Sequence, residues 1–292
     1  MSSNASGTQA NRIKLRPLQP CFALLLLSTF SWQLASAEEF GYIFEIPTQR
    51  SLHSDAPLGN YIYATLDVPD PDKAVAMIRA AGAVDILQIT DAQITVGISA
   101  NATTTTEYDA ADLSETFIVD FDEVSVATTI SLLHDAYGAS PAPQEIQNFV
   151  FDYVENKNYL SNFDFASKVA RTRSGDCTEH AILLAALARS QKYPARLVLG
   201  VVLIGQAQDI DGFGHAWTEV YHDGEWLLLD GTALADQDLG GEAFYLPLMV
   251  LENEGPGYNM DFMRLMHVQP SRISEIRAGK PPQVSQSSDK PE

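Results

Sequence analysis

Ser174-Gly175-Asp176-Cys177-Thr178-Glu179-His180-Ala181 runs directly into ILLAALARS (182–190), a stretch of strong helix formers. Gly175-Asp176 breaks the segment before it, so a helix opens at Cys177. Ile182, Leu183, Ala186, Leu187 and Ser190 trace a buried stripe, which sends this helix through a core. A helix start has N–H groups without intrahelical acceptors and carries the positive end of the dipole. A thiol held there favours its thiolate when an imidazole stands beside it, and the same N–H groups suit an oxyanion. The competing reading of Cys177 alone is a buried structural cysteine.

Cysteine usage bears on that choice. The chain has two cysteines, and Cys21 lies within the apolar run CFALLLLSTF (21–30). Arg12, Lys14 and Arg16 precede this run and Ala35-Ser36-Ala37 follows it, the pattern of an export signal cleaved after Ala37. The run is shorter than the ~20 residues of a permanent span, although an uncleaved anchor is the competing reading. Pro20 before Cys21 argues against lipidation. Cleavage leaves Cys177 as the only cysteine of a periplasmic or secreted protein, with no stable transmembrane segment. Exported proteins pair their cysteines or lack them, so a lone one points to reactivity.

The mature chain, from Glu38, has 255 of the 292 residues, enough for one large domain or two small ones. Three of the 18 basic residues and none of the 38 acidic ones lie in the signal segment; 15 against 38 remain, a formal charge of −23. Phosphate backbones are repelled by such a chain, which excludes nucleic acid as a partner. The acidity otherwise means solubility.

The stretch RLVLGVVLI (196–204) reads as an apolar strand, and Gly205–Gly214 as a loop. Two further strands, His215–Tyr221 and Glu225–Asp230, flank Asp223-Gly224, a hairpin turn signal. With that turn His222 faces Glu225 and Trp217 faces Asp230. His215 and Asp230 then fall diagonally adjacent on one face of the ribbon, within reach of each other. A carboxylate there fixes the imidazole tautomer and stabilises the imidazolium.

Gly175-Asp176-Cys177, Gly214-His215-Ala216-Trp217 and WLLLDGT (226–232) together resemble the three blocks of the transglutaminase-like superfamily, over roughly residues 145–235. The string from Phe163 to Ala195 and the later Asn253-Glu254-Gly255-Pro256-Gly257-Tyr258 resemble exported bacterial members. The resemblance implies a papain-like α+β fold, a nucleophile helix packed on an antiparallel sheet. It implies acyl-thioester chemistry on a peptide or protein substrate, with Cys177 as nucleophile, His215 as base then acid, and Asp230 as orienter. No cofactor is implied. Gly231 departs from the proline often found in the third block, and no tryptophan lies between Trp32 and Cys177 to supply an upstream oxyanion side chain. Hydrolysis is favoured over amine transfer, because an acceptor site is an extra requirement. The alternative from another class is a catalytically silent binding or scaffolding module of the cell envelope.

The expected organisation is a signal segment over 1–37, an N-terminal β-rich region over 38–138, a transglutaminase-like domain over 144–278 and a disordered tail over 279–292. In the first region, residues 61–66, 93–98 and 116–121 alternate as strands, 71–81 has helical spacing, and Ala100–Thr106 reads as an exposed loop. Ser140-Pro141-Ala142-Pro143 is the joint, and helical spacing resumes at Ile146. His180, one turn from Cys177, has no orienting group of its own and reads as a packing residue. A metal site built from Cys177, His180, His215 and Asp230 lacks a second cysteine and a second spaced histidine. His53, His134, His222 and His267 show no pattern. Trp217 and Trp226 read as hairpin core, with Trp217 also a candidate roof of the cleft.

Overall fold

A computed structural model describes residues 45–50, 58–100, 102–104, 107–157, 163–206, 209–232 and 242–281. The signal segment, Cys21, His53 and the tail beyond 281 lie outside the described residues. In chain order the elements are β1 (Glu45–Ile46), β2 (Thr48–Arg50), β3 (Tyr61–Asp67), α1 (Pro71–Ala81), β4 (Asp85–Ile89) and β5 (Gln93–Ser99). Then come α2 (Val124–Tyr137), α3 (Pro143–Tyr153), β6 (Asn156–Lys157), α4 (Ala166–Thr172), β7 (Ser174–Gly175) and α5 (Cys177–Ser190). The chain continues through β8 (Ala195–Gln206), β9 (Asp209–His222), β10 (Glu225–Leu229), β11 (Glu242–Val250), α6 (Tyr258–Met266) and β12 (Arg272–Ala278).

The fold is α+β. One sheet has the order β1-β9-β8-β11, with β10 also on β9, and every pairing in it is antiparallel. Helix α5 packs on its β8–β9 pair, and the Thr218 hydroxyl of β9 donates to the Ala181 carbonyl of α5 at 2.9 Å. All of Glu179–Arg189 is buried, and the Ala181–Ala188 stretch within it is apolar all round, so α5 forms the centre of the core. Strand β8 is covered on both faces. Its odd-numbered residues, Leu197, Leu199, Val201 and Leu203, join the main core, while Val198, Val202 and Ile204 cluster with Trp217 and Tyr245. Burial on both faces is why 196–204 reads as an unbroken apolar run rather than an alternating one.

The second sheet, β2-β12-β3-β5-β4, carries α1 between β3 and β4. Pro71 sits at the start of α1, Asp70 accepts the Lys73 N–H at 3.1 Å, and Gly82 ends the helix at φ +77°. β12 pairs with β3 and α1 packs against β11, so the end of the 144–278 segment completes the sheet of the N-terminal region. Helix α2, which precedes the Pro-rich joint, packs on α4 and α5.

Several local expectations are corrected. Residues 205–214 form no long loop, since β8 runs to Gln206 and pairs with β9 from Asp209 onward. Glycines at 212 and 214 hide that strand, and the first of them lets β1 lie close: a Cβ at Gly212 would stand 3.0 Å from the Ile46 carbonyl oxygen. Residues 116–121 are no strand. Ile118 and Val119 are fully buried, but their backbone bonds go singly to different places, with Ile118 N–H donating to Glu254 O and Val119 O accepting from Thr116 N–H. The loop at 100–106 is not uniformly exposed, because Thr104 is buried against Glu219 and Arg196.

Candidate active site

The turn before α5 is built around two carboxylates. Asp176 is the N-cap, its Oδ1 accepting from the Thr178 N–H at 2.9 Å and from the Thr178 hydroxyl at 2.8 Å. Glu179, in the third helical position, reaches back to the Asp176 N–H at 3.0 Å, completing a capping box. Its other oxygen accepts the Asp164 N–H at 2.9 Å, which ties the incoming 163–165 segment to the helix start. Gly175 is required here, because a Cβ would lie 2.2 Å from the Glu179 Cβ. Burial and the neighbouring Asp176 charge push the Glu179 carboxyl up to about 8.

Cys177 is half-buried at the head of this helix. Asp176 takes the N–H groups of Thr178, Glu179 and His180. The Cys177 N–H is left over among the first-turn donors of the described residues.

The β9–β10 hairpin turns at Asp223 and Gly224, both at positive φ (53° and 93°), as a two-residue turn of matching twist requires. The ladder pairs Glu225 with His222 and Leu229 with Thr218, the register expected from that turn. His215 Nε2 donates to Asp230 Oδ2 at 2.9 Å, with both side chains nearly inaccessible. The remaining ring nitrogen is left for Cys177, which lines the same cleft as His215 and lies close enough to raise its affinity for a proton.

Asp230 is surrounded by donors that sequence reasoning did not identify. Tyr245 of β11 donates its hydroxyl to Oδ2 at 2.9 Å, and Thr232 donates its N–H at 2.9 Å and its hydroxyl at 2.6 Å to Oδ1. Burial alone would favour the neutral acid, but the His215 charge and the His215 and Thr232 donors hold Asp230 down at about 2. Burial likewise opposes charge on His215, yet Asp230 and then Cys177 raise it to about 10. Gly231, where the sequence departs from the expected proline, is closely packed: a Cβ there would stand 3.1 Å from both His180 Cβ and Val150 Cγ1.

His180 is turned away from this line. Its Nδ1 donates to the Asp176 carbonyl at 2.6 Å, and burial lowers its affinity for a proton. Trp217 is wholly buried in the small apolar cluster with Tyr245, which places it in the core and not over the cleft. Among the described residues no group of three or more His, Cys, Asp or Glu side chains has the geometry of a metal site.

A cleft opens at Cys177 and His215, lined also by Phe163, Leu199, Phe262 and Leu265. The last two belong to α6, an element not anticipated from sequence. The Asn253–Tyr258 string positions it. Glu254 forms a two-pronged pair with Arg189 near the end of α5 (2.7 Å for each contact), and the Tyr258 hydroxyl donates to the Phe163 carbonyl at 3.1 Å.

Residues 126–231 match the family described as the Transglutaminase-like superfamily, so the segment holding Cys177, His215 and Asp230 is a transglutaminase-like core. Among solved structures, the chain is similar to a candidate cysteine protease from Cytophaga hutchinsonii. Identity is 15%, the match covers 66% of this chain and 77% of that one, and the TM-score is 0.39. It is also similar to the periplasmic domain of TgpA from Pseudomonas aeruginosa, at 19% identity and a TM-score of 0.35. That match covers 51% of this chain and 58% of the other, so the chain spans little more than half of that domain. No curated protein matches the chain.

Proposed function

From the premise of a transglutaminase-like core at residues 126–231, we propose that the protein is an exported thiol enzyme. It cleaves amide bonds of a peptide or protein through Cys177, His215 and Asp230. The observation that carries this reading is the buried His215–Asp230 hydrogen bond of 2.9 Å, with Cys177 beside the same imidazole in one cleft and at a helix start.

The Cys177 thiolate attacks the amide carbonyl carbon, and the C–O π electrons move onto oxygen. The Cys177 N–H faces that oxyanion, supported by the dipole of α5. His215, held as imidazolium by Asp230, gives its proton to the departing nitrogen as the C–N bond breaks and a thioester remains. Water then attacks the thioester, its proton passing to His215, and the acid leaves as the C–S bond breaks. Asp230 stays ionised throughout. Hydrolysis is the proposed outcome because transfer to an amine needs a further acceptor site.

The test is the pH dependence of iodoacetamide alkylation of the mature protein, with His215→Ala alongside, followed by cleavage of a fluorogenic peptide amide with and without a primary amine. Labelling should persist below the ordinary thiol pKa of about 8.5 and fall about tenfold or more at pH 6 in the variant. Labelling that is slow and unaffected by the variant refutes the enzyme reading. Preferential capture of the amine refutes hydrolysis.

A further inference from the structure

One wall of the cleft comes from outside the segment that matches the family. Phe262 and Leu265 of α6 line the cleft together with Phe163 and with Leu199 and Ala216 of the sheet. No lysine or arginine is among the described residues lining the cleft, and its one carboxylate, on Asp176, is occupied as the helix cap. A cationic side chain entering here loses its hydration and finds no free carboxylate, and an acidic one meets only His215, already paired with Asp230, whereas an apolar one gains by leaving water.

Size narrows the choice further. The free space is about 40 Å³. A water molecule needs roughly 10–15 Å³ on this scale, so the space suits a side chain of about three heavy atoms. Phe262 lines this space and is held in place: its ring meets Phe163 edge-on at 5.3 Å, and Phe163 also meets Tyr258 at 5.6 Å.

We propose that this wall is a substrate subsite for a small apolar side chain, such as alanine or valine, next to the scissile amide. Phe262 is its specificity-determining residue. The proposal rests on the reading of Cys177 as nucleophile.

The experiment compares inactivation by N-acetyl-aminoacyl chloromethyl ketones carrying alanine, valine, phenylalanine, aspartate or lysine side chains. In each, the Cys177 sulfur forms a bond to the methylene carbon and chloride departs. Rates are divided by the iodoacetamide rate of the same protein. The alanine and valine probes should react about tenfold or more faster than the other three. Phe262→Ala should raise the phenylalanine-to-alanine ratio at least about tenfold, and Phe262→Leu should raise it by less. The leucine variant keeps the test valid should the alanine variant not fold. Fast iodoacetamide labelling with probe rates independent of the side chain, or a ratio that neither variant changes, overturns the subsite. Slow labelling by every reagent overturns the nucleophile reading, and the subsite with it.

Discussion

Asp230 receives hydrogen bonds from His215, Tyr245 and both donors of Thr232, and that full complement is what keeps a buried carboxylate charged. Tyr245 touches no reacting atom; it is a positioning residue that acts through Asp230. In Tyr245→Phe one charge-assisted bond is lost, which should lower kcat/KM about 10- to 100-fold. The Asp230 carboxyl, otherwise held near 2, should then protonate more readily. The acid limb of the pH–activity profile should therefore move to higher pH, which a purely packing role for Tyr245 would not produce.

Helix α5 owes its start to the capping box and its burial to the all-apolar stretch Ala181–Ala188. Glu179 gives the box a pH dependence. Its folded pKa of about 8 lies above the unfolded value of about 4.3, so the folded state keeps the proton longer. The sign follows from linkage: stability from this group is fully present below about pH 4.3 and falls as pH rises through 8. Urea unfolding should therefore show greater stability at pH 5 than at pH 8, with the difference reduced in Glu179→Gln. The part that survives in the variant belongs to His215, whose raised pKa gives stability that is complete below about pH 6.5 and fades towards 10. A profile unaltered by the substitution would remove Glu179 from this account.

At the scale of the whole molecule, single contacts join segments far apart in sequence. Arg189 near the end of α5 bonds Glu254 through both guanidinium branches, and also the carbonyls of Ser114 and Ala195, in a site from which water is nearly excluded. Truncating one partner leaves the other charged and buried. Glu254→Ala should therefore cost roughly 3–5 kcal/mol in urea unfolding. Arg189→Met with Glu254→Leu should recover most of that, because an apolar pair of similar volume needs no counter-charge. If the single variant is neutral, Glu254 is not the tie that holds the 251–258 segment beneath α6.

The sequence by itself determined the local chemistry. It placed the helix start at Cys177, because Gly175-Asp176 ends one backbone state and strong helix formers begin another. It also set the hairpin register that brings His215 to Asp230, because a two-residue turn at Asp223-Gly224 permits only one pairing. The capping box is legible as well, in the spacing of Asp176 and Glu179. Only the tertiary structure decided the rest. The strand at 209–214 is hidden by glycines whose use is to let β1 approach. Ile118 and Val119 look like strand residues, but Ile118 bonds to the remote Glu254 and Ala166 while Val119 closes a local turn with Thr116 and Phe121. Tyr245, Glu254, Phe262 and β12 act across 15 to more than 200 residues of chain. Periodicity and capping are properties of neighbours in sequence, whereas the donors around Asp230 and the wall of the cleft exist only once remote elements have packed.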